Sequence, residues 1–217
     1  QYGIDPSKMA WALMEGSNNY LAKDGSMSCK QALIDTYNDI VKKKSVVIGG
    51  ATACLVTMRQ GTNDSGNSVL KMTAANLGDS AFMVIRDGNI VLRSTDQIHY
   101  FNCPYQLSVP QNIGAIHDDP DRSDEYSFDL LKGDFVVLGT DGLTDNLFDE
   151  DVAKIVTQRS KAGGDVNIIA KDLLRHAAVR ARTRGIKTPF SEYAQKNNFQ
   201  YLGGKLDDIT VVVAQIN

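Results

Sequence analysis

The sequence is poor in cysteine and histidine, with three of each among its 217 residues. Cys29, Cys54 and Cys103 are widely spaced and odd in number, so they form neither a disulfide framework nor a zinc-binding motif. No histidine stands beside a serine or cysteine in a nucleophile motif, which argues against a Ser-His or Cys-His hydrolase. Unpaired cysteines favour a reducing, intracellular compartment.

The chain also lacks a basic excess and a long apolar run. Its formal charge of -3 at pH 7, with no basic stripe, disfavours a nucleic-acid partner and a metal-dependent nuclease. No apolar stretch approaches the roughly 20 residues that cross a bilayer, so no membrane span is expected. The length and the ordinary apolar content suit a single domain over residues 1–217.

Helical and strand patterns are both present, in separate blocks. Two amphipathic helices are predicted first, the second over residues 29–43. Strands are predicted next, over 54–58, 69–77, 81–85 and 90–92. The Asp87-Gly88 pair is a strong hairpin signal, and together the strands indicate an antiparallel meander instead of a βαβ array. Residues 94–123 are predicted to form a polar, irregular loop, either functional or merely solvated.

An acidic turn follows the apolar strand predicted over residues 135–138. Asp141-Gly142 lies at the exit of that strand, where a glycine allows a sharp turn and the strand fixes the carboxylate. Asp145 comes four residues later, so both carboxylates point the same way if a helix begins there. The alternative is an ordinary turn with a helix cap, because aspartate is common at both.

A second acidic pair, Asp207-Asp208, precedes an apolar strand predicted over residues 209–216. If this strand lies beside residues 135–138, the two acidic turns meet at one rim of a sheet. Neighbouring carboxylates repel each other unless they are protonated or bridged by a cation. Aspartates without histidine or cysteine favour a hard ion such as Mg²⁺ or Mn²⁺. The residues therefore suggest a metal-dependent phosphoester hydrolase.

Four segments, taken in order, resemble the motifs of the metal-dependent protein phosphatases (the PPM family, type 2C). They are Gly49-Gly50-Ala51-Thr52-Ala53, Asn76-Leu77-Gly78-Asp79-Ser80, Thr140-Asp141-Gly142-Leu143-Thr144-Asp145 and Gly203-Gly204-Lys205-Leu206-Asp207-Asp208-Ile209-Thr210. Each motif alone is a weak signal, but four in register are strong. Cys103-Pro104-Tyr105-Gln106-Leu107 further resembles the eukaryotic branch that has mitochondrial-type members.

The resemblance implies an α+β fold, a four-layer αββα sandwich of two antiparallel sheets flanked by helices. It implies hydrolysis of phosphoserine and phosphothreonine in phosphorylated proteins by a metal-bridging water, without a covalent phosphoenzyme. Two Mn²⁺ or Mg²⁺ ions, with a third at a weaker position, are the implied cofactors. The implied metal ligands are Asp79, Asp141, Asp145 and Asp207, and Asp141 and Asp207 are the expected catalytic pair.

The family's first motif, an Asp-Gly-x-Gly-Gly-Trp loop whose Asp bridges both metals, does not occur in this chain. The chain is therefore expected to be an N-terminally truncated phosphatase domain. The missing motif keeps a second function open, that of a catalytically silent phosphatase-like binding or regulatory module. A monomer is expected, in the mitochondrion by family branch or in the cytoplasm by cysteine usage.

Overall fold

The computed structural model describes residues 5, 7–63 and 65–217. The helices are α1 (Ser7–Lys23), α2 (Cys29–Lys43), α3 (Asp141–Thr144), α4 (Asp149–Lys161), α5 (Val166–Ala181) and α6 (Pro189–Lys196). The strands are β1 (Gly50–Ala51), β2 (Ala53–Thr62), β3 (Ser68–Leu77), β4 (Ala81–Arg86), β5 (Asn89–Arg93), β6 (Ile98–Tyr100), β7 (Cys103–Pro104), β8 (Leu107–Ser108), β9 (Asp124–Leu130), β10 (Phe135–Gly139) and β11 (Val211–Gln215). All strand pairs are antiparallel. This confirms the α+β class with antiparallel sheets and helices.

The chain forms two compact units, one of residues up to Asp79 and Thr95–Leu130, the other of Ser80–Ser94 and Leu131–Asn217. In the first unit, strands β2, β3 and β9 form a three-stranded sheet. Helices α1 and α2 pack against each other and against this sheet. The core joins Met9 and Leu13 to Leu33, Leu55 and Leu77.

Helix α2 shows how local sequence sets the element bounds. Ser28 precedes the helix, and its hydroxyl accepts a hydrogen bond from the N–H of Gln31, which satisfies one of the free amides of the first turn. Lys44 ends the helix in a left-handed conformation with φ of 51°. The predicted bounds of 29–43 are confirmed.

In the second unit, four strands form a sheet in the order β11-β10-β4-β5. Helix α5 packs on β11, and α4 packs on α5 and β5. Ile85 and Val137 of the sheet meet Val156 of α4 and Ile169 and Leu173 of α5, all buried. The pairing of β11 with β10, which the sequence analysis assumed in order to bring the two acidic turns together, is confirmed, with Val137 opposite Val213.

Two expectations about topology were wrong. The predicted meander is broken after β3, because β2 and β3 belong to one sheet whereas β4 and β5 belong to the other. Residues 94–123 are not irregular throughout, since they contain β6, β7 and β8, and β8 pairs with β1. The first error concerns the partner strand, which a strand pattern in the sequence does not specify. The second arose because β6, β7 and β8 are only two or three residues long, too short to give a recognisable strand pattern. The Asp87-Gly88 hairpin is confirmed, with φ positive at both residues.

Within the described residues, no helix has the length and apolar character needed to cross a membrane.

Candidate functional site

Helix α3 places two aspartates at the end of strand β10. The strand ends at Gly139, and a single helical turn begins at Asp141, which is the first of the two arrangements that the sequence left open. The N–H of Asp145 donates to the carbonyl of Asp141 at 2.8 Å, which closes one helical turn between the two residues. Because residues four apart share a helix face, the two carboxylates lie on one side.

The second acidic turn is tied to the same end of the sheet. Thr140 Oγ1 donates to the carbonyl of Asp208 at 3.1 Å and accepts the N–H of Thr210, also at 3.1 Å. A side chain at Gly142 would overlap the Asp208 carbonyl, so only glycine allows the two turns to approach this closely. The carboxylate of Asp207 is thereby brought to the rim that carries Asp141.

Asn146 fixes the backbone between the two turns and is fully buried. Its Nδ2 donates to the carbonyls of Gly142 and Lys205, each at 2.9 Å, and its Oδ1 accepts the N–H of Lys205 at 3.0 Å. The amide side chain therefore satisfies both backbone groups of Lys205. The position of Lys205 relative to α3 is set by these hydrogen bonds.

The side chain of Lys205 lies among the three carboxylates. Its Nζ is 2.6 Å from Asp141 Oδ2, 2.8 Å from Asp145 Oδ2 and 3.2 Å from Asp207 Oδ2. Nζ donates hydrogen bonds to Asp141 and Asp145, and Asp207 is its third ion-pair partner. Three negative charges against one positive leave the group, which we call the acidic cluster, strongly negative.

The acidic cluster changes the acid–base behaviour of Lys205. Burial alone would lower the pKa of this lysine, but the charge of Asp145 and the hydrogen bonds to Asp141 and Asp145 outweigh it, so the pKa is raised. The ammonium also lies 5.5 Å from the centre of the Phe190 ring. At neutral pH Lys205 is therefore a permanent cation in the acidic cluster.

The donor atoms of the acidic cluster fit a hard divalent ion. They are all carboxylate oxygens, they converge on one positive charge, and the side chains are only 24 to 36% exposed. In the part of the chain that the structure describes, no three His, Cys, Asp or Glu side chains are grouped as a ready metal site. The three carboxylates are arranged around the Lys205 ammonium group instead.

Asp79, the fourth predicted ligand, belongs to the first unit. It follows Gly78, which has φ of 104°, at the turn after β3. The buried side chain of Asn76 supports this turn by donating to the Gly78 carbonyl at 3.3 Å. The structure brings Asp141, Asp145 and Asp207 together, and the role of Asp79 as a ligand stays a prediction.

Lys205 and Asn146 were not identified by sequence reasoning. A lysine two residues before Asp207, inside a glycine-rich acidic turn, is a signal that could have drawn attention to Lys205. Asn146 has no such signal, because a single asparagine after Asp145 is compatible with any helix end.

Comparisons with known proteins identify the family of this chain. A family model described as Protein phosphatase 2C matches residues 109–186, a range that contains Asp141 and Asp145. The Protein phosphatase PTC7 homolog of Danio rerio is 34% identical over 98% of this chain and 71% of its own length. The chain belongs to the protein phosphatase 2C family.

Solved structures of other phosphatases share the fold. The photosystem II phosphatase PBCP matches with a TM-score of 0.78 and 24% identity, over 99% of this chain and 81% of that protein. The catalytic domain of the serine/threonine phosphatase PstP, solved in complex with two manganese ions, matches with a TM-score of 0.52 and 16% identity, over 96% of this chain and 81% of that one. A eukaryotic PTC7 homolog among the relatives is consistent with the branch that the sequence motifs indicated.

Proposed function

We propose that this chain is a metal-dependent protein serine/threonine phosphatase that uses Mn²⁺ or Mg²⁺. The observation that carries the proposal is the convergence of Asp141, Asp145 and Asp207 on one positive charge at the end of strand β10. The family assignment and the two manganese ions bound by PstP support it. Asp79 is proposed as a further ligand.

The chain's own groups hold the proposed ligands in fixed orientations. Asp141 and Asp145 are fixed by the backbone of α3, and Asp207 Oδ1 accepts the N–H of Asp208 at 2.9 Å, which leaves its Oδ2 directed at the acidic cluster. Such preorganisation removes the cost of arranging the ligands when an ion binds. Bound Mn²⁺ or Mg²⁺ would supply positive charge for a phosphoryl group and lower the pKa of a water molecule.

The proposal includes phosphorylated proteins as substrates, because a phosphoserine or phosphothreonine would bring the negative charge that a loaded site neutralises. A nucleic-acid partner remains unexpected for a chain of formal charge -3. The monomeric state and the mitochondrial or cytoplasmic location stay predictions.

The test is hydrolysis of a phosphothreonine peptide as a function of Mn²⁺ concentration, with and without EDTA. We expect turnover that depends on Mn²⁺ and falls by more than about 100-fold in Asp141→Asn, since loss of groups that only support a ligand already costs about 10–100-fold. Asp129→Asn is the matched control, because Asp129 forms a surface ion pair with Lys71 at 3.9 Å. Equal turnover in wild type and Asp141→Asn would contradict the proposal.

The binding-module function is the other outcome of this experiment. A chain that binds Mn²⁺ at the acidic cluster, yet shows no turnover on any phosphopeptide of a diverse set, would be a silent member of the family. The same three carboxylates would then serve metal-dependent binding of a phosphorylated partner.

A further inference from the structure

The ammonium of Lys205 lies among the three carboxylates that are proposed as metal ligands. All three of its contacts are to the Oδ2 atoms of Asp141, Asp145 and Asp207, at 2.6 to 3.2 Å. A divalent ion binds carboxylate oxygens at about 2.0–2.6 Å and repels an ammonium group placed among the same ligands. Lysine and metal therefore exclude each other at this point.

The backbone of Lys205 is held in place, whereas its side chain can move. Asn146 binds both backbone groups of Lys205, and a side chain at the preceding Gly204 would overlap the carbonyl of Arg180, so the main chain is fixed. The side chain has a flexible four-carbon stem that ends in the acidic cluster, with 17% of its surface exposed. Only the side chain needs to move for the ammonium to leave.

An aromatic ring beside the acidic cluster also contacts the ammonium of Lys205. The ring of Phe190 is 5.5 Å from Nζ already, and an aromatic face attracts an ammonium group by about 0.5–1 kcal/mol or more. Phe190 is itself held near the acidic cluster, because its N–H donates to the carbonyl of Asp145 at 3.0 Å. The Phe190 ring therefore gives the ammonium an attractive contact that does not depend on the carboxylates.

We propose that Lys205 is a built-in counter-cation that stabilises the acidic cluster in the metal-free chain and is displaced when Mn²⁺ or Mg²⁺ binds. It sets the metal affinity of the site by competing for the same oxygens. Without it, three carboxylates held together would repel one another and weaken the fold. This inference rests on the proposed function, since it assumes that the acidic cluster is the metal site.

The test compares wild type with Lys205→Met, which keeps an unbranched stem and removes the charge. Calorimetric titration with Mn²⁺ should show binding that is tighter by about tenfold or more in the variant, because the competing charge is gone. Thermal unfolding in EDTA should show a lower melting temperature in the variant, by a few degrees. Lys205→Arg, which keeps the charge, should shift both values less.

A second measurement uses the wild-type chain alone and does not depend on the folding of a variant. Labelling of amines followed by mass spectrometry should show slow modification of Lys205 in EDTA and several-fold faster modification with saturating Mn²⁺. The exposed Lys132 is the internal control and should react equally in both conditions. Faster labelling of Lys205 would report its release directly.

The outcomes separate this inference from the proposed function. Equal or weaker Mn²⁺ binding in Lys205→Met, or unchanged labelling of Lys205, would overturn the proposed competition. The metal site itself would still be supported if Asp141→Asn lost Mn²⁺ binding. Absence of Mn²⁺ binding in wild type and Lys205→Met alike would overturn both. Binding in Lys205→Met but not in wild type would support the competition in its strongest form.

Discussion

The second unit contains several sites where aspartates meet a basic side chain, and two of them differ clearly in the balance of charge. At one, the buried carboxylate of Asp134 meets the Arg86 guanidinium, with Nε and Nη2 donating to its two oxygens at 2.8 and 2.7 Å. The N–H of Leu131 donates to the same carboxylate at 2.8 Å. At the other, Asp141, Asp145 and Asp207 share one lysine.

This difference in charge balance separates a structural ion pair from a cation site. The Arg86–Asp134 pair is neutral overall and its geometry is bidentate, so it attracts no further ion and serves to fix the fold. The acidic cluster is partly exposed and keeps an excess of negative charge, which a divalent ion would relieve. Whether nearby cations balance the charge of the carboxylates thus distinguishes a structural ion pair from a cation-binding site.

The largest effect on stability is expected from Asp134→Asn. The substitution leaves Arg86 without its carboxylate partner, and breaking a buried pair costs about 3 kcal/mol or more. The low end applies because the Arg86 side chain is 27% exposed. Urea denaturation monitored by circular dichroism gives the free energy of unfolding, and a loss below about 1 kcal/mol would contradict a structural role for this pair.

The stability that this pair contributes should depend on pH. Burial alone would raise the pKa of Asp134, but the hydrogen bonds from Arg86 and Leu131 outweigh it, so the pKa lies below its usual value. A group with a lowered pKa stabilises the fold fully above its unfolded pKa of about 3.9 and loses this contribution as the pH falls through the folded pKa. The stability difference between wild type and Asp134→Asn should therefore shrink below about pH 4. A stability difference between the two chains that increases below about pH 4 would contradict a lowered pKa for Asp134.

A smaller effect is expected at the group that positions the acidic cluster. Asn146→Ala removes three hydrogen bonds and leaves the backbone groups of Lys205 without these partners, which costs about 2 kcal/mol. Because the turn that carries Asp207 is then less well fixed, Mn²⁺ affinity should fall by about tenfold. Calorimetry and urea denaturation on the same sample measure both. Weakened stability with unchanged Mn²⁺ affinity would make Asn146 a structural residue alone.

The smallest effect is expected from Asp207→Asn in EDTA. Its contact with Lys205 is the longest of the three, at 3.2 Å, and its side chain is 36% exposed. Such a pair contributes less than about 1 kcal/mol, and removing it also relieves repulsion from the neighbouring carboxylates. The same Asp-to-Asn change would then be costly at residue 134 and nearly neutral at residue 207. A loss at Asp207 as large as at Asp134 would remove the distinction between the two sites.

The sequence was most informative where chemistry is local. The bounds of α2 follow from the spacing of its apolar residues, and the shared side of Asp141 and Asp145 follows from helical geometry. The meeting of Asp207 with Asp141 required one further assumption, that β11 pairs with β10, and this is confirmed.

The sequence was least informative where contacts are distant along the chain. Lys205 and Asn146 are 59 residues apart, and nothing in either local pattern indicates the hydrogen bonds between them. The change of sheet after β3 was missed for the same reason, because strand patterns do not encode which strand pairs with which. The counter-cation in the acidic cluster is visible only once the turns of α3 and residues 203–208 are folded together.

The most direct test of the central claim is calorimetric titration of Mn²⁺ into wild type, Asp141→Asn and the control Asp129→Asn. If the acidic cluster is a cation site, wild type and Asp129→Asn should show the same saturable binding and Asp141→Asn should lose it. Identical binding in all three chains would place the metal elsewhere and contradict the account.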